Sequence, residues 1–324
     1  HRFSRRPNAV PLLYPGGPDH LDEGQGLMDE KVNISNGGGL PCAPPSIEKT
    51  PMFTAMNAAR YQRQAIIREI EADNPKLLCY VAGLKAPVCR TDTLGFVDML
   101  HNITPGEPID LLLHTPGGDV DAAEKLITLL RNTVGEDGQL RVIVPDFAKS
   151  AGTLMALGAN AIVMSDSSEL GPIDPQVTLK DGNGNDISHS VLTYLNAYSA
   201  TGEQLRKTPD DVPARIMFEK FDPTVVRKFT SVRDRARTFA ENLLKRRGAN
   251  FSKVAHDLMD INAYPSHGQM IGWEAARNMG LAITYMAPTD ALWRKYWTLY
   301  CHLRLAIEGG DQRIFESNYV SMPM

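Results

Sequence analysis

Residues 111–126, LLLHTPGGDVDAAEKL, and residues 148–171, AKSAGTLMALGANAIVMSDSSELG, decide how this chain is read. Each contains a glycine-bearing turn between an apolar run of strand length and a run with helical spacing. In the first, a strand from Ile109 to His114 leads through Thr115-Pro116-Gly117-Gly118 into a helix from Asp119 to Val134, with Val120, Ala123, Leu126, Ile127 and Leu130 on one stripe. In the second, a strand from Leu140 to Pro145 leads through Ala148-Lys149-Ser150-Ala151-Gly152 into a helix from about Ala151 to Gly158, and a strand from Ala161 to Met164 follows. Apolar strands that alternate with amphipathic helices build right-handed βαβ units, which require a parallel sheet covered on both faces. The expected fold class is α/β.

Upstream of these units, Met56, Ala59, Arg63, Ile66, Ile67 and Ile70 recur at helical spacing, and Pro75 stops that helix. A strand from Leu77 to Ala82 and a helix from Thr91 to His101 come next. Downstream, residues 181–186 read as a turn or short loop and Ser190 to Ala200 as a helix. Asp222 is a suitable N-cap with Pro223 in the first helical position, for a helix that runs as far as Arg247 before Gly248. Trp273 to Met279 is a short helix closed by Gly280, and Leu281 to Thr284 is the last strand. From Asp290 to Ile307 an aromatic stripe carries Trp293, Tyr296, Trp297 and Tyr300, a packing surface within the chain or between subunits. The Trp293, Trp297 and Tyr300 cluster looks exposed. The domain reading is a Pro/Gly-rich arm over residues 1–50, a main α/β domain over 51–289, and a C-terminal aromatic helix and tail over 290–324 that is a candidate oligomer contact.

The chain has 324 residues and a formal charge of −4, which gives no electrostatic reason to expect a nucleic-acid partner. Lys and Arg concentrate between Arg227 and Arg247, but Asp234 and Glu241 interleave with them as on a solvated helix face. Four cysteines without CxxC spacing indicate neither a zinc site nor a disulfide framework, and a reducing, cytoplasmic setting is expected. No apolar run reaches the roughly 18 residues of a spanning helix, so membrane association is not indicated. No metal and no cofactor is expected.

Paired glycines let the backbone adopt positive φ and aim consecutive N–H groups at an anion, although Pro-Gly-Gly is also an ordinary turn. Ser150, between a strand and a helix with small neighbours, is a candidate nucleophile and equally an ordinary N-cap. Two such turns on successive βαβ units make an acyl-transfer site the better reading.

The runs HTPGGDVDAAEKL (114–126), AKSAGTLMALGANAIVMS (148–165) and ELGPIDPQ (169–176) resemble the serine dehydrogenase proteinase family, relatives of signal peptide peptidase A in the Clp protease and crotonase superfamily. The segment YPSHGQMIGWEAARNMGL (264–281) is similar to the one that closes that fold. The resemblance covers residues 109–177 closely and 215–285 less closely. It implies a Clp protease/crotonase-like parallel sheet of repeated ββα/βαβ units with flanking helices. It also implies Ser150 as nucleophile, Gly118 and Ala151 as oxyanion-hole N–H donors, and Gly117 and Asp174 beside the substrate.

The general base is open. Clp-type peptidases carry a histidine on the strand after the nucleophile helix, where this chain has Asp174. Signal peptide peptidases use a lysine, and Lys220 ranks first for that role, with Lys207, Lys228 and His267 as alternatives. Lys149 adjoins the serine, but neighbours in an extended turn point apart, and His114 precedes the diglycine turn. The function expected is a serine endopeptidase with a Ser-Lys dyad, acting on peptide or protein substrates as a homo-oligomer. The alternatives are a crotonase-type acyl-CoA enzyme and a catalytically inactive assembly scaffold.

Overall fold

The computed structural model describes residues 49–180, 183–245, 250–307 and 309–324. The Pro/Gly-rich arm, apart from Lys49 and Thr50, lies outside the described residues, as do Arg247 and Gly248. In chain order the elements are α1 (Pro51–Met56), α2 (Ala58–Glu71), β1 (Lys76–Ala82), α3 (Thr93–Leu100), β2 (Ile109–His114), α4 (Val120–Val134), β3 (Leu140–Ile143), β4 (Phe147–Ala148), α5 (Ala151–Leu157), β5 (Ala161–Met164) and β6 (Glu169–Leu170). After these come β7 (Gln176–Lys180), β8 (Asp186–Ser190), α6 (Val191–Lys207), α7 (Val212–Phe218), α8 (Pro223–Leu244), α9 (Phe251–Leu258), α10 (Trp273–Met279), β9 (Ile283–Tyr285), α11 (Ala291–Ala306), β10 (Arg313–Glu316) and β11 (Ser321–Pro323).

The main sheet has the order β11-β10-β1-β2-β3-β5-β9. Strands β1, β2, β3, β5 and β9 are mutually parallel, and β10 and β11 add antiparallel at one edge. Register shows why both faces must be covered. Cys79, Leu112, Ile143 and Val163 form one row across four strands, and they pack with Ile67 and Ile70 of α2 and Trp293, Tyr296 and Tyr300 of α11. The adjacent row, Leu78, Leu111, Val142 and Ile162, points the other way and joins α3, α4, α5 and α8 in the larger core. Alternation along each strand thus fills two apolar layers, as a parallel α/β sheet demands.

The aromatic stripe of α11 is therefore interior to this chain. Trp293 and Tyr300 are buried, which corrects their reading as exposed, and only Trp297 of that trio stays substantially open to solvent. The last residues also contribute more than a helix and tail, since β10 pairs with β1 and seats Phe315 against Tyr80 and Phe96. Around the expected turn at 181–186, β7 and β8 form an antiparallel hairpin whose strands carry little buried surface. Among the described residues no helix is long and apolar enough to cross a membrane.

Candidate active site

Two isolated parallel bridges bring the turns together. Thr115 pairs with Ala148: the Thr115 N–H donates to the Phe147 carbonyl at 3.1 Å, and the Lys149 N–H donates to the Thr115 carbonyl at 3.1 Å. Gly118 pairs with Val88 in the same way, since the Val88 N–H donates to the Gly117 carbonyl at 2.7 Å and the Asp119 N–H to the Val88 carbonyl at 2.9 Å. In such a bridge the neighbours of the central residue make the bonds, so the N–H of Gly118 itself faces away from Val88. It has no acceptor among the described residues.

Gly117 and Gly118 have φ of 96° and 149°. A Cβ on Gly117 would lie 2.7 Å from the Lys149 carbonyl oxygen and 2.8 Å from Ser150 Cβ. On Gly118 it would lie 2.4 Å from the Val88 carbonyl oxygen. The first glycine lets the two turns touch, and the second lets the loop lie against residue 88.

Ser150 stands where the two strand ends converge. Its backbone is at φ 52° and ψ −114°, and among the described residues no other non-glycine has a positive φ. An ordinary N-cap serine has extended backbone and spends its oxygen on the helix amides. Ser150 does neither, and its hydroxyl has no hydrogen-bond partner among the described residues. The Ala151 N–H, first in α5, likewise has no acceptor there. Strained backbone of this kind costs about 1–3 kcal/mol and persists only where the surroundings enforce it.

Those surroundings are identifiable. Every residue of α5 is buried. Lys149 ion-pairs with Glu169 and donates to the Leu170 carbonyl at 3.2 Å, so its ammonium is engaged away from the serine. Thr153 Oγ1 lies 2.8 Å from the Ala148 carbonyl and accepts from the Gly171 N–H at 3.0 Å, joining both sides of the turn. Ser150→Gly is expected to raise the melting temperature above that of the parent and of Ser150→Ala. Relief of strain exceeds the roughly 0.5–1 kcal/mol of extra glycine entropy. Thermal melts of the three proteins check this.

Ser150, Gly117 and Gly118 open into a cleft of about 1040 Å³. Leu84, Pro87, Val120, Pro175, Val177, Val232 and Ala236 give it apolar walls, and Lys228, Arg235 and His267 are its basic members. His267 Nδ1 is 3.7 Å from Asp174 Oδ2. Asp174 is buried, and its carboxylate accepts from Gln176 Nε2 at 2.8 Å and Ser190 Oγ at 2.9 Å. Arg235 is occupied by Asp121 and Glu124. Lys228 is exposed on α8 and has no ion-pair partner among the described residues.

The remaining lysines of the sequence reading lie elsewhere. Lys220, between α7 and α8, is exposed and does not line the cleft. Lys207 ends α6 and pairs at 2.7 Å with Glu203. His114 points to the opposite side of the sheet, fully buried, with Nδ1 2.9 Å from the Ala82 carbonyl. The described residues contain no cluster suited to hold a metal ion. Four contributors escaped the sequence reading: Val88, Glu169 and the hairpin residues Gln176 and Val177. Val88 meets the diglycine loop through its backbone, which leaves no residue-type signal. Glu169 stands inside the quoted ELGPIDPQ run, and its pairing with Lys149 is legible only once β4 and β6 are known to be neighbours.

Residues 96–188 match the family model described as ClpP-like SDH-type serine proteinase. That segment contains both turns, and the match meets the resemblance drawn from their motifs. An uncharacterized protein of Methanocaldococcus jannaschii, MJ0137, is 48% identical over 71 residues, 22% of this chain and 24% of that protein. A second from the same organism, MJ1495, is 35% identical over 104 residues, 32% of each chain. The chain thus spans about a quarter to a third of the length of these curated relatives. Among solved structures, a variant of the membrane-bound stomatin-specific protease 1510-N gives a TM-score of 0.40 at 16% identity, covering 67% of this chain and 83% of that one. Another variant of it, in complex with a substrate peptide, gives 0.39 at 17% identity, with 67% and 77% covered.

Proposed function

We propose that this chain is a serine endopeptidase working through an acyl-enzyme on Ser150. The observation that carries the reading is a strained serine with an uncommitted hydroxyl, flanked by the uncommitted N–H groups of Gly118 and Ala151. Ser150 Oγ attacks a peptide carbonyl, and the two N–H groups receive the negative charge that develops on its oxygen. The proton lost by the hydroxyl goes to a base and then to the leaving amine, and water repeats the sequence to free the acyl group. An acyl-CoA enzyme of the crotonase type would need the oxyanion donors but not a strained serine. A scaffold would need neither. Peptide or protein substrates and a homo-oligomeric state follow from the family resemblance.

For the base, the geometry favours His267 over the lysines. It lines the cleft with Ser150, and its Nδ1 lies 3.4 Å from Gln176 Nε2, which in turn donates to the buried carboxylate of Asp174 at 2.8 Å. Histidine also exchanges its proton near neutrality. A lysine base must be buried to shed its proton, and both Lys220 and Lys228 are exposed. Lys228 is the second reading, because it shares the cleft and is free of ion pairs among the described residues.

Hydrolysis of fluorogenic peptides across pH 5–10 separates the two. His267→Gln is expected to lower kcat by about 10²–10⁴ and to abolish the acidic limb of the profile. Lys228→Met is expected to stay within about fivefold of the parent, since it would lose only a rim charge. The reverse pattern would assign the base to Lys228. Unchanged kcat in both variants would remove both assignments.

A further inference from the structure

We propose that His114, Asp146 and Tyr300 act together as a positioning clamp that sets the separation of the Gly118 amide and Ser150 from the far side of the sheet. The clamp is assigned from geometry, and only its kinetic consequence rests on the peptidase reading.

The register between the two site-bearing strands is interrupted just before the site. Leu112 pairs with Ile143, and the next pairing is Thr115 with Ala148, so one strand advances three positions while the other advances five. The two extra residues form an excursion over Val144, Pro145 and Asp146. Such excursions beside active sites redirect the chain that follows, here the strained turn at Ser150. Whatever holds this excursion sets where the nucleophile stands relative to the diglycine amide.

Backbone and side-chain contacts hold it: the Val144 N–H donates to the Val163 carbonyl at 3.0 Å, and the Asp146 carbonyl accepts from the Glu169 N–H at 2.6 Å. The backbone carbonyls of Val144 and Pro145 accept from Ser168 Oγ at 2.6 Å and Ser167 Oγ at 3.0 Å. The side chain of Asp146 instead reaches the α11 face, where the Tyr300 hydroxyl donates to Oδ2 at 2.6 Å. His114 Nε2 lies 3.4 Å from the same oxygen. The His114 ring is wedged between Phe147 and Tyr300, with centroids 4.1 and 5.1 Å away. Its Nδ1 meets the Ala82 carbonyl, which can only accept, so Nδ1 carries a proton.

His114 adjoins Thr115, and Asp146 adjoins Phe147, so the clamp lies directly beneath the bridge joining the two turns. The charge states agree with this assignment. Burial works against ionisation of Asp146, but the bond from the Tyr300 hydroxyl and the nearby His114 ring outweigh it and hold the carboxyl below its usual range. Burial, followed by the bond to Asp146, pushes the Tyr300 phenol well above its ordinary value, so it remains a donor at neutral pH.

Tyr300→Phe keeps the ring against His114 and removes only the hydroxyl. Expected results are a loss in kcat of about tenfold with KM within about twofold, because a misplaced hydroxyl and amide affect the transition state more than binding. Hydrogen exchange at the Thr115 and Lys149 bridge amides is expected to quicken about tenfold, with the Leu78 amide in β1 unchanged. Asp146→Asn, which still accepts from Tyr300, is expected to retain most of the parent rate, whereas Asp146→Ala matches or exceeds the Tyr300→Phe loss. Bridge amides that exchange at the parent rate in Tyr300→Phe would overturn the clamp, as would unchanged kcat in both Tyr300→Phe and Asp146→Ala. A parent protein without hydrolytic activity would count against the peptidase reading alone, and the exchange measurement would still decide the clamp.

Discussion

Ser150→Ala is expected to abolish peptide hydrolysis, lowering kcat by about 10⁴-fold or more, while leaving peptide binding and the fold intact. The size of the effect follows from what the serine does in this reading. Without its hydroxyl no acyl-enzyme forms, and the remaining oxyanion donors have no nucleophile to assist. The fold is expected to tolerate the change because the hydroxyl has no partner among the described residues and the buried helix behind it holds the turn. Steady-state hydrolysis of a fluorogenic peptide, together with fluorescence anisotropy of its uncleaved analogue, measures the two halves. Residual activity above about a tenth of the parent rate would mean that Ser150 is not the nucleophile.

The second large effect is at the diglycine. Gly117→Ala and Gly118→Ala each place a methyl group within 2.4–2.8 Å of backbone or of Ser150 Cβ, at φ values that side chains rarely adopt. The loop can respond only by rotating the Gly118 amide away from Ser150 or by parting the bridge to Val88. Loss of one oxyanion donor typically costs about 10²–10³ in rate, and that range is expected for both variants, with KM changing much less. Gly135 provides the control. It also has positive φ, 79°, but an added Cβ would meet nothing within 4 Å, so Gly135→Ala is expected to lose some stability and no activity. A Gly118→Ala enzyme as active as the parent would remove the diglycine amide from the mechanism.

How much of this was legible in the sequence depends on where each signal resides. The central strands and the helices beside them were readable because each pairs an apolar run of one period with an amphipathic run of another. The strand Ile109–His114 and the stripe of Val120, Ala123, Leu126, Ile127 and Leu130 are the plainest case. Ser150 and Gly118 were readable because their positions are constrained by residue type: glycine where φ is positive, serine at a strand-to-helix turn.

Other parts left no such trace. Strands β7 and β8 bury little, so hydrophobic alternation hardly marks them, and β10 is four residues long behind a glycine pair. The stripe on α11 was visible, but periodicity reports only that a face is apolar. What covers that face is a matter of topology, and here it is the sheet's Cys79, Leu112, Ile143 and Val163 row. The base was least legible, because lysines and histidines carry no mark of where a distant segment returns. Lys220 falls outside the cleft, whereas His267, more than a hundred residues from Ser150 in sequence, lines it beside Asp174.

The central claim is that the Ser150 hydroxyl and the Gly118 and Ala151 amides face one point in the cleft. A crystal structure of the protein after reaction with a fluorophosphonate tests this most directly. The phosphorus is expected on Ser150 Oγ, with its phosphoryl oxygen about 2.7–3.1 Å from both amide nitrogens. An adduct on another residue, or a phosphoryl oxygen turned to solvent while those two amides bond elsewhere in the protein, would contradict it.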